Sequence, residues 1–120
     1  MDVSNNLALI ALNCEDNQLT SIDVSANTAL IQLVCSQNEL TSLDVSNNTA
    51  LYSLRCYNNQ LTSLNIRNGN NTNMSASTFQ ANGNPLLTTI NCDDVAYATL
   101  TYTVAYGTID TTMTTWTAIP

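Results

Sequence analysis

The sequence predicts an all-β-rich solenoid of about four stacked 21-residue coils, with two parallel β-sheets and a β-rich C-terminal cap. Three observations point there. A 21-residue block recurs without gaps over Leu9–Ala29, Leu30–Ala50 and from Leu51 onward. Each block splits into two halves that share the pattern L..L.(C or V)..N. The remainder of the chain, from Tyr97, departs from the repeat. Fixed self-similarity at such a period is the mark of stacked architectures, in which each unit buries its apolar side only against its neighbours.

The blocks read LIALNCEDNQLTSIDVSANTA, LIQLVCSQNELTSLDVSNNTA and LYSLRCYNNQLTSLNIRNGNN. In the stretches L-x-C and L-D-V, apolar residues alternate with polar ones, which is the period of a strand. The Asn that follows each suits a turn, where it can take left-handed backbone angles and bond nearby amides. One coil then holds two short strands and two turns, and coils stacked at about 4.8 Å form two parallel sheets. Residues 2–8 (DVSNNLA) fit the tail of a preceding copy. After an insertion around Asn68–Thr78, Phe79–Pro85 (FQANGNP) reads as another tail, and Leu87–Cys92 (LTTINC) opens a last, degraded copy. The solenoid therefore occupies 1–96, with repeats at 9–29, 30–50 and 51–86 and partial copies at 2–8 and 87–96. Tyr97–Tyr106 alternates, with Leu100, Tyr102, Val104 and Tyr106 against Thr99, Thr101 and Thr103, and reads as a strand. Thr108–Pro120 reads as a strand or extended tail. Residues 97–120 would close the open end of the stack, with Trp116 and the tyrosines as cover.

Composition narrows the function. The 120 residues carry nine acidic side chains against two basic ones, Arg55 and Arg67, for a net charge of -7. Phosphate neutralisation needs clustered Lys and Arg, so no nucleic-acid partner is expected. No apolar run reaches the roughly 18 to 20 residues that span a bilayer, so no membrane insertion is expected. There is no His to act as general base and no glycine-rich phosphate loop, so the reading is non-enzymatic, with no cofactor.

Within the repeat, Cys14, Cys35, Cys56 and Cys92 occupy the same position, which points inward. They read as a column of small buried thiols; no C-x-x-C pair favours a metal site. Asn17, Asn38 and Asn59 form one ladder, and Asn6, Asn27, Asn48 and Asn84 a second. Both read as turn amides that satisfy the backbone of the next coil. Asp23 and Asp44 face outward, a solvated face with calcium as the alternative occupant.

The frame LxxLxCxxNxLTSLDVSxNTA resembles the leucine-rich-repeat family, whose signature is LxxLxLxxNxL. It resembles most closely the short 21-residue bacterial class with a nested repeat, often called the IRREKO type. The resemblance covers Asp2 to about Asp94. The insertion Asn65–Asn73 and the stretch Asn84–Tyr97 are similar to the ends of such arrays in secreted bacterial surface proteins. The resemblance implies an extracellular or cell-surface location and binding through the LxxLxL strand face.

The second half of each block hardly varies, whereas the first half varies at its outward positions. One column is Asn13, Val34, Arg55 and Asn91. Another contains Gln32 and Ser53, and a third, at the strand exit, contains Glu15 and Tyr57. A fixed frame with variable contacts is what a recognition surface for a protein or glycan looks like, and Arg and Tyr are common interface anchors. Self-association is the second expectation. Val3, Leu9 and Leu12 would be open at one end, and Leu100, Tyr102 and Val104 would offer an edge strand at the other. Such a head-to-tail contact would not close on itself and would build a filament or surface layer.

Overall fold

A computed structural model of the chain describes residues 1–103, 107–110 and 115–119. Its strands are β1 (Ala11–Asn13), β2 (Gln32–Val34), β3 (Ser42–Asp44), β4 (Ser53–Arg55), β5 (Ser63–Asn65), β6 (Phe79–Gln80), β7 (Thr89–Asn91) and β8 (Thr115–Thr117). A 3-10 turn covers Asn71–Asn73, and a helix, α1, covers Val95–Thr101. The strands form two sheets, ordered β1-β2-β4-β6 and β3-β5-β7-β8. Every pairing is parallel. The register follows the 21-residue shift: Leu12 stands beside Leu33, Leu33 beside Leu54, and Leu43 beside Leu64.

The core lies between the sheets and is filled by the repeat's apolar positions. In the second copy Leu30, Leu33, Cys35, Leu40, Leu43 and Val45 are all buried, as are Leu51, Leu54, Cys56, Leu61, Leu64 and Ile66 in the third. In the first copy only Cys14 and Val24 are buried, while Leu9, Leu12, Leu19 and Ile22 pack against the core from one side. The difference is not in residue type. A side chain in a stack is enclosed only when a layer lies on each side of it.

The Asn ladders tie layer to layer. The Nδ2 of Asn38 donates to Cys14 O (3.0 Å) and Cys35 O (3.1 Å), and its Oδ1 accepts from Leu19 N. Asn59 repeats this one layer on, with Cys35 O, Cys56 O and Leu40 N. In the second ladder Asn48 donates to Val24 O and Asn27 O. In the first ladder the left-handed residue of the turn is not the Asn but the residue before it. Asp16, Gln37 and Asn58 have φ of 59, 56 and 55°, and Gly83 takes the same place at 71°. The ladder Asn needs a side chain aimed inward, so the preceding residue absorbs the reversal.

The end of the array is shifted by half a repeat relative to the sequence reading. Phe79–Gln80 pairs with β4 and so belongs to the first-half sheet, with Phe79 beside Leu54 and Gln80 beside Arg55. Thr89–Asn91 pairs with β5 in the other sheet, with Ile90 beside Leu64. FQANGN therefore continues the L-x-C half, and LTTINC the L-D-V half. Asn84 belongs to the first ladder: its Oδ1 accepts from Leu61 N and its Nδ2 donates to Cys56 O. Cys92 leaves the thiol column and follows Val45 and Ile66, as the parallel bonds Val45 N to Asn65 O, Ile66 N to Asn91 O and Cys92 N to Thr117 O show. Ala81 holds the place after Cys56. The two halves share one consensus, so a phase slip hidden in the insertion leaves no local trace.

The expected β-rich C-terminal segment is β only in part: Thr115–Thr117 pairs with β7 as β8, but the stretch read as a strand from Tyr97 begins as helix. Residues 95–101 are helical; Asp94 caps α1 by accepting from Tyr97 N at 3.0 Å. Ala98 and Tyr102 are buried while Leu100 is 80% exposed. The inward spacing is thus four, the helical period, rather than two. Residues 104–106, in the predicted strand, lie outside the described residues. Tyr102 donates to Asn71 O and Met74 O and packs its ring against Phe79, Tyr97 and Trp116. Thr108 O accepts from Ala81 N, and the Asp110 carboxylate accepts from Gly83 N and Asn84 N. The segment 108–110 therefore takes the backbone bonds that a further layer would make.

Candidate recognition face

The outer face of the β1-β2-β4-β6 sheet carries the variable columns. Asn13, Gln32 and Arg55 are exposed there. Val34 and Ser53, expected to be open, are only 7% and 8% exposed. Each is a short side chain flanked within one strand spacing on both sides: Val34 by Asn13 and Arg55, and Ser53 by Gln32 and by the segment entering β6. They form the floor of the face rather than contacts on it.

At the strand exit, the Tyr57 hydroxyl donates to Glu15 Oε1 across the intervening layer. Ser36, between them, is fully buried and its hydroxyl has no partner. Tyr57 and Glu15 are therefore engaged with each other and close over Ser36. Arg55 differs, because among the described residues no ion pair joins it to a carboxylate. The other cation, Arg67, donates to Ala118 O at 2.9 Å.

Asn91 does not join this column. It lies in β7 on the opposite sheet, beside Asn65, and donates to Ile119 O. The fourth member of the column is Gln80. The sequence did carry a signal for it: Phe79 can fill a leucine position, and Asn84 follows it at the spacing that separates Leu54 from Asn59. Of the assembly candidates, Val3, Leu9 and Leu12 are half-buried at the β1 edge and Leu100 is exposed. Tyr102 is buried in the cap, so it offers no edge, and Val104 lies outside the described residues.

On the side of the second sheet Asp2, Asp23 and Asp44 stand one per repeat, Asp44 in β3 and the other two outside any strand. Each Oδ1 accepts from a serine N–H two residues on, at Ser4, Ser25 and Ser46. Hydrogen bonding from the Ser25 side chain and backbone lowers the Asp23 pKa, and the Ser4 bonds do the same for Asp2. Hollows lined by Ile22, Asp23, Ser42 and Asp44 run along this ladder. Among the described residues, no three acidic, Cys or His groups converge as metal ligands would. The thiols are held protonated: burial raises Cys14 and Cys35, and pushes Cys56 up to about 12. A buried thiol in that state is a packing group rather than a nucleophile.

Strands in parallel register, a leucine column on each sheet and an Asn ladder at each turn define a leucine-rich-repeat-like fold. Among solved structures the chain is similar to the functional domain of InlJ from Listeria monocytogenes, described as including a cysteine ladder. The two share 34% identity with a TM-score of 0.58, over 78% of this chain and 22% of that chain. The chain thus spans about a fifth of the length of the protein chain it matches. No protein-family model and no curated protein matches the sequence.

Proposed function

We propose that this chain is part of a bacterial leucine-rich-repeat solenoid of the 21-residue nested class, with about four coils over 1–96 and a cap over 97–120. Its role is non-catalytic recognition outside the cell or at the cell surface, with a protein or glycan bound on the outer face of β1-β2-β4-β6. The similarity to InlJ supports the surface setting. The observation that carries the reading is Arg55: an exposed cation without an ion-pair partner among the described residues, set among side chains that vary while their frame repeats. Gln80 beside it, Gln32 on the neighbouring strand and Asn13 two strands away carry amides on the same face.

The test is binding of the purified chain to arrays of surface proteins and glycans, read beside Arg55→Ala and Gln32→Ala. Ligands that weaken by about tenfold or more for the Arg55 variant, a difference of about 1.4 kcal/mol, support the face. Ligands indifferent to both variants but lost on Asp23→Ala and Asp44→Ala would move the site to the opposite sheet and refute the assignment.

A further inference from the structure

One flank of the stack carries no charge. The turns that lead into β1, β2 and β4 are residues 5–10, 26–31 and 47–52, reading NNLALI, ANTALI and NNTALY. Their last residues stack one per layer, since Ile31 N donates to Ile10 O (2.7 Å) and Tyr52 N to Ile31 O (3.1 Å). Ile10 is 58% exposed and Tyr52 47%, with Ile31 half-buried between them. The other flank reads EDNQ, SQNE and YNNQ over 15–18, 36–39 and 57–60, and holds Glu15, Asp16 and Glu39. Single exposed apolar side chains are ordinary, whereas these three line up in one apolar strip beside the variable face.

Resting on the recognition reading above, we propose that the Ile10–Ile31–Tyr52 stripe is the docking track for an amphipathic helix of a partner protein, with an acidic side chain of that helix on Arg55. The dimensions match. Three layers span about 10 Å from Ile10 to Tyr52 at the usual strand spacing. Apolar residues at i and i+7 on a helix are about 10.5 Å apart, with i+3 or i+4 between them. Arg55 ends β4, three residues beyond Tyr52 in the turn that enters that strand, about 10 Å away along extended chain, which is about one helix diameter. A helix seated on the stripe therefore brings its flanking positions over Arg55. Charge sets the sign of that flank. On a chain of net charge -7, Arg55 is the cation on this face, so a carboxylate is welcomed there and repelled at the acidic flank. The stripe has no cation to hold an anionic membrane surface, and its aliphatic members give a glycan no hydrogen bonds.

The test is selection from a phage-displayed library of helical peptides against the immobilised full chain. Enriched peptides should carry apolar residues at i, i+3 or i+4 and i+7 with Asp or Glu on one flank. Their affinity should fall by about tenfold or more on Ile31→Ser and on Tyr52→Ser. Arg55→Glu should reject them and accept the same peptides with the acid changed to Lys. Circular dichroism of each variant separates lost docking from lost folding, and the exposed Tyr52 and Arg55 give the answer free of the half-buried Ile31. Enriched peptides that bind Ile31→Ser and Tyr52→Ser as well as the parent, or no enrichment over bare support, would overturn the helix track. Array ligands that still depend on Arg55 would in that case leave the recognition face standing, and ligands indifferent to Arg55 would end both.

Discussion

Asn59→Ala tests how the layers are held. Asn59 is 6% exposed, accepts from Leu40 N at 3.0 Å, and donates to Cys35 O at 3.1 Å and Cys56 O at 3.2 Å. Truncation leaves the Leu40 N–H without its acceptor inside a buried turn, while Cys35 O and Cys56 O keep bonds from Asn38 and Asn84. At about 1–3 kcal/mol for one buried polar group so abandoned, the loss is about 1–3 kcal/mol. Asn17 is the internal control. It occupies the same repeat position, is exposed, and donates only to Cys14 O and Glu15 O of its own turn. Cys14 O keeps its bond from Asn38, so Asn17→Ala should lose about 1 kcal/mol or less. Urea unfolding at equilibrium, followed by circular dichroism with equal slopes for the two variants, gives the difference directly. Equal losses, or a loss below about 1 kcal/mol for Asn59→Ala, would refute the layer-bridging role.

Three further outcomes follow from local geometry. Leu43, 3% exposed, should lose roughly 2–5 kcal/mol on truncation to Ala, and a loss under about 1 kcal/mol in the same assay would contradict its inward placement. Gly83→Ala should destabilise by more than about 2 kcal/mol, because φ is +71° and the new Cβ would sit 2.0 Å from Asn58 Oδ1 and 2.9 Å from Asn58 N. Gly69→Ala, at φ +79° with nothing within 4 Å, should lose about 1–2 kcal/mol, and a thermal melt that ranks the two the other way would refute the close approach. The buried thiols make stability fall at alkaline pH. Cys56 rises from 9.0 to about 12 on folding, so the folded chain holds its proton where the unfolded chain releases it. Stability is then full below about pH 9 and declines as pH climbs toward 12, and Cys56→Ala should flatten that decline; an unchanged slope would contradict it.

The repeat frame was legible because it obeys two simple rules at once, alternation within a strand and a fixed shift between layers. Leu33, Leu54, Leu43 and Leu64 needed nothing else. Three features escaped for separate physical reasons. Cys92 and Asn91 were misplaced because both halves of the repeat share one consensus, and only hydrogen bonding across the insertion fixes the phase. Tyr97–Tyr106 alternates like a strand, yet its first residues are in a helix that Asp94 caps, and the inward residues Ala98 and Tyr102 are four apart. Val34 and Ser53 point outward as expected, but their longer neighbours cover them. The Tyr57–Glu15 contact spans 42 residues, a distance at which sequence shows composition and not pairing.

The half-repeat phase at β6 and β7 decides which residues make up the recognition face, and it can be measured directly. With the native thiols buried, nitroxide labels can be placed selectively on cysteines introduced at Arg55 and Gln80, and in a second sample at Arg55 and Asn91. The first pair sits on adjacent strands about 4.8 Å apart, and the second on opposite sheets more than about 10 Å apart. Strong dipolar broadening of the continuous-wave spectrum for Arg55→Cys with Gln80→Cys, and none comparable for Arg55→Cys with Asn91→Cys, is the predicted result. Broadening in the second sample and not the first would return Asn91 to the Arg55 column and contradict the face described here.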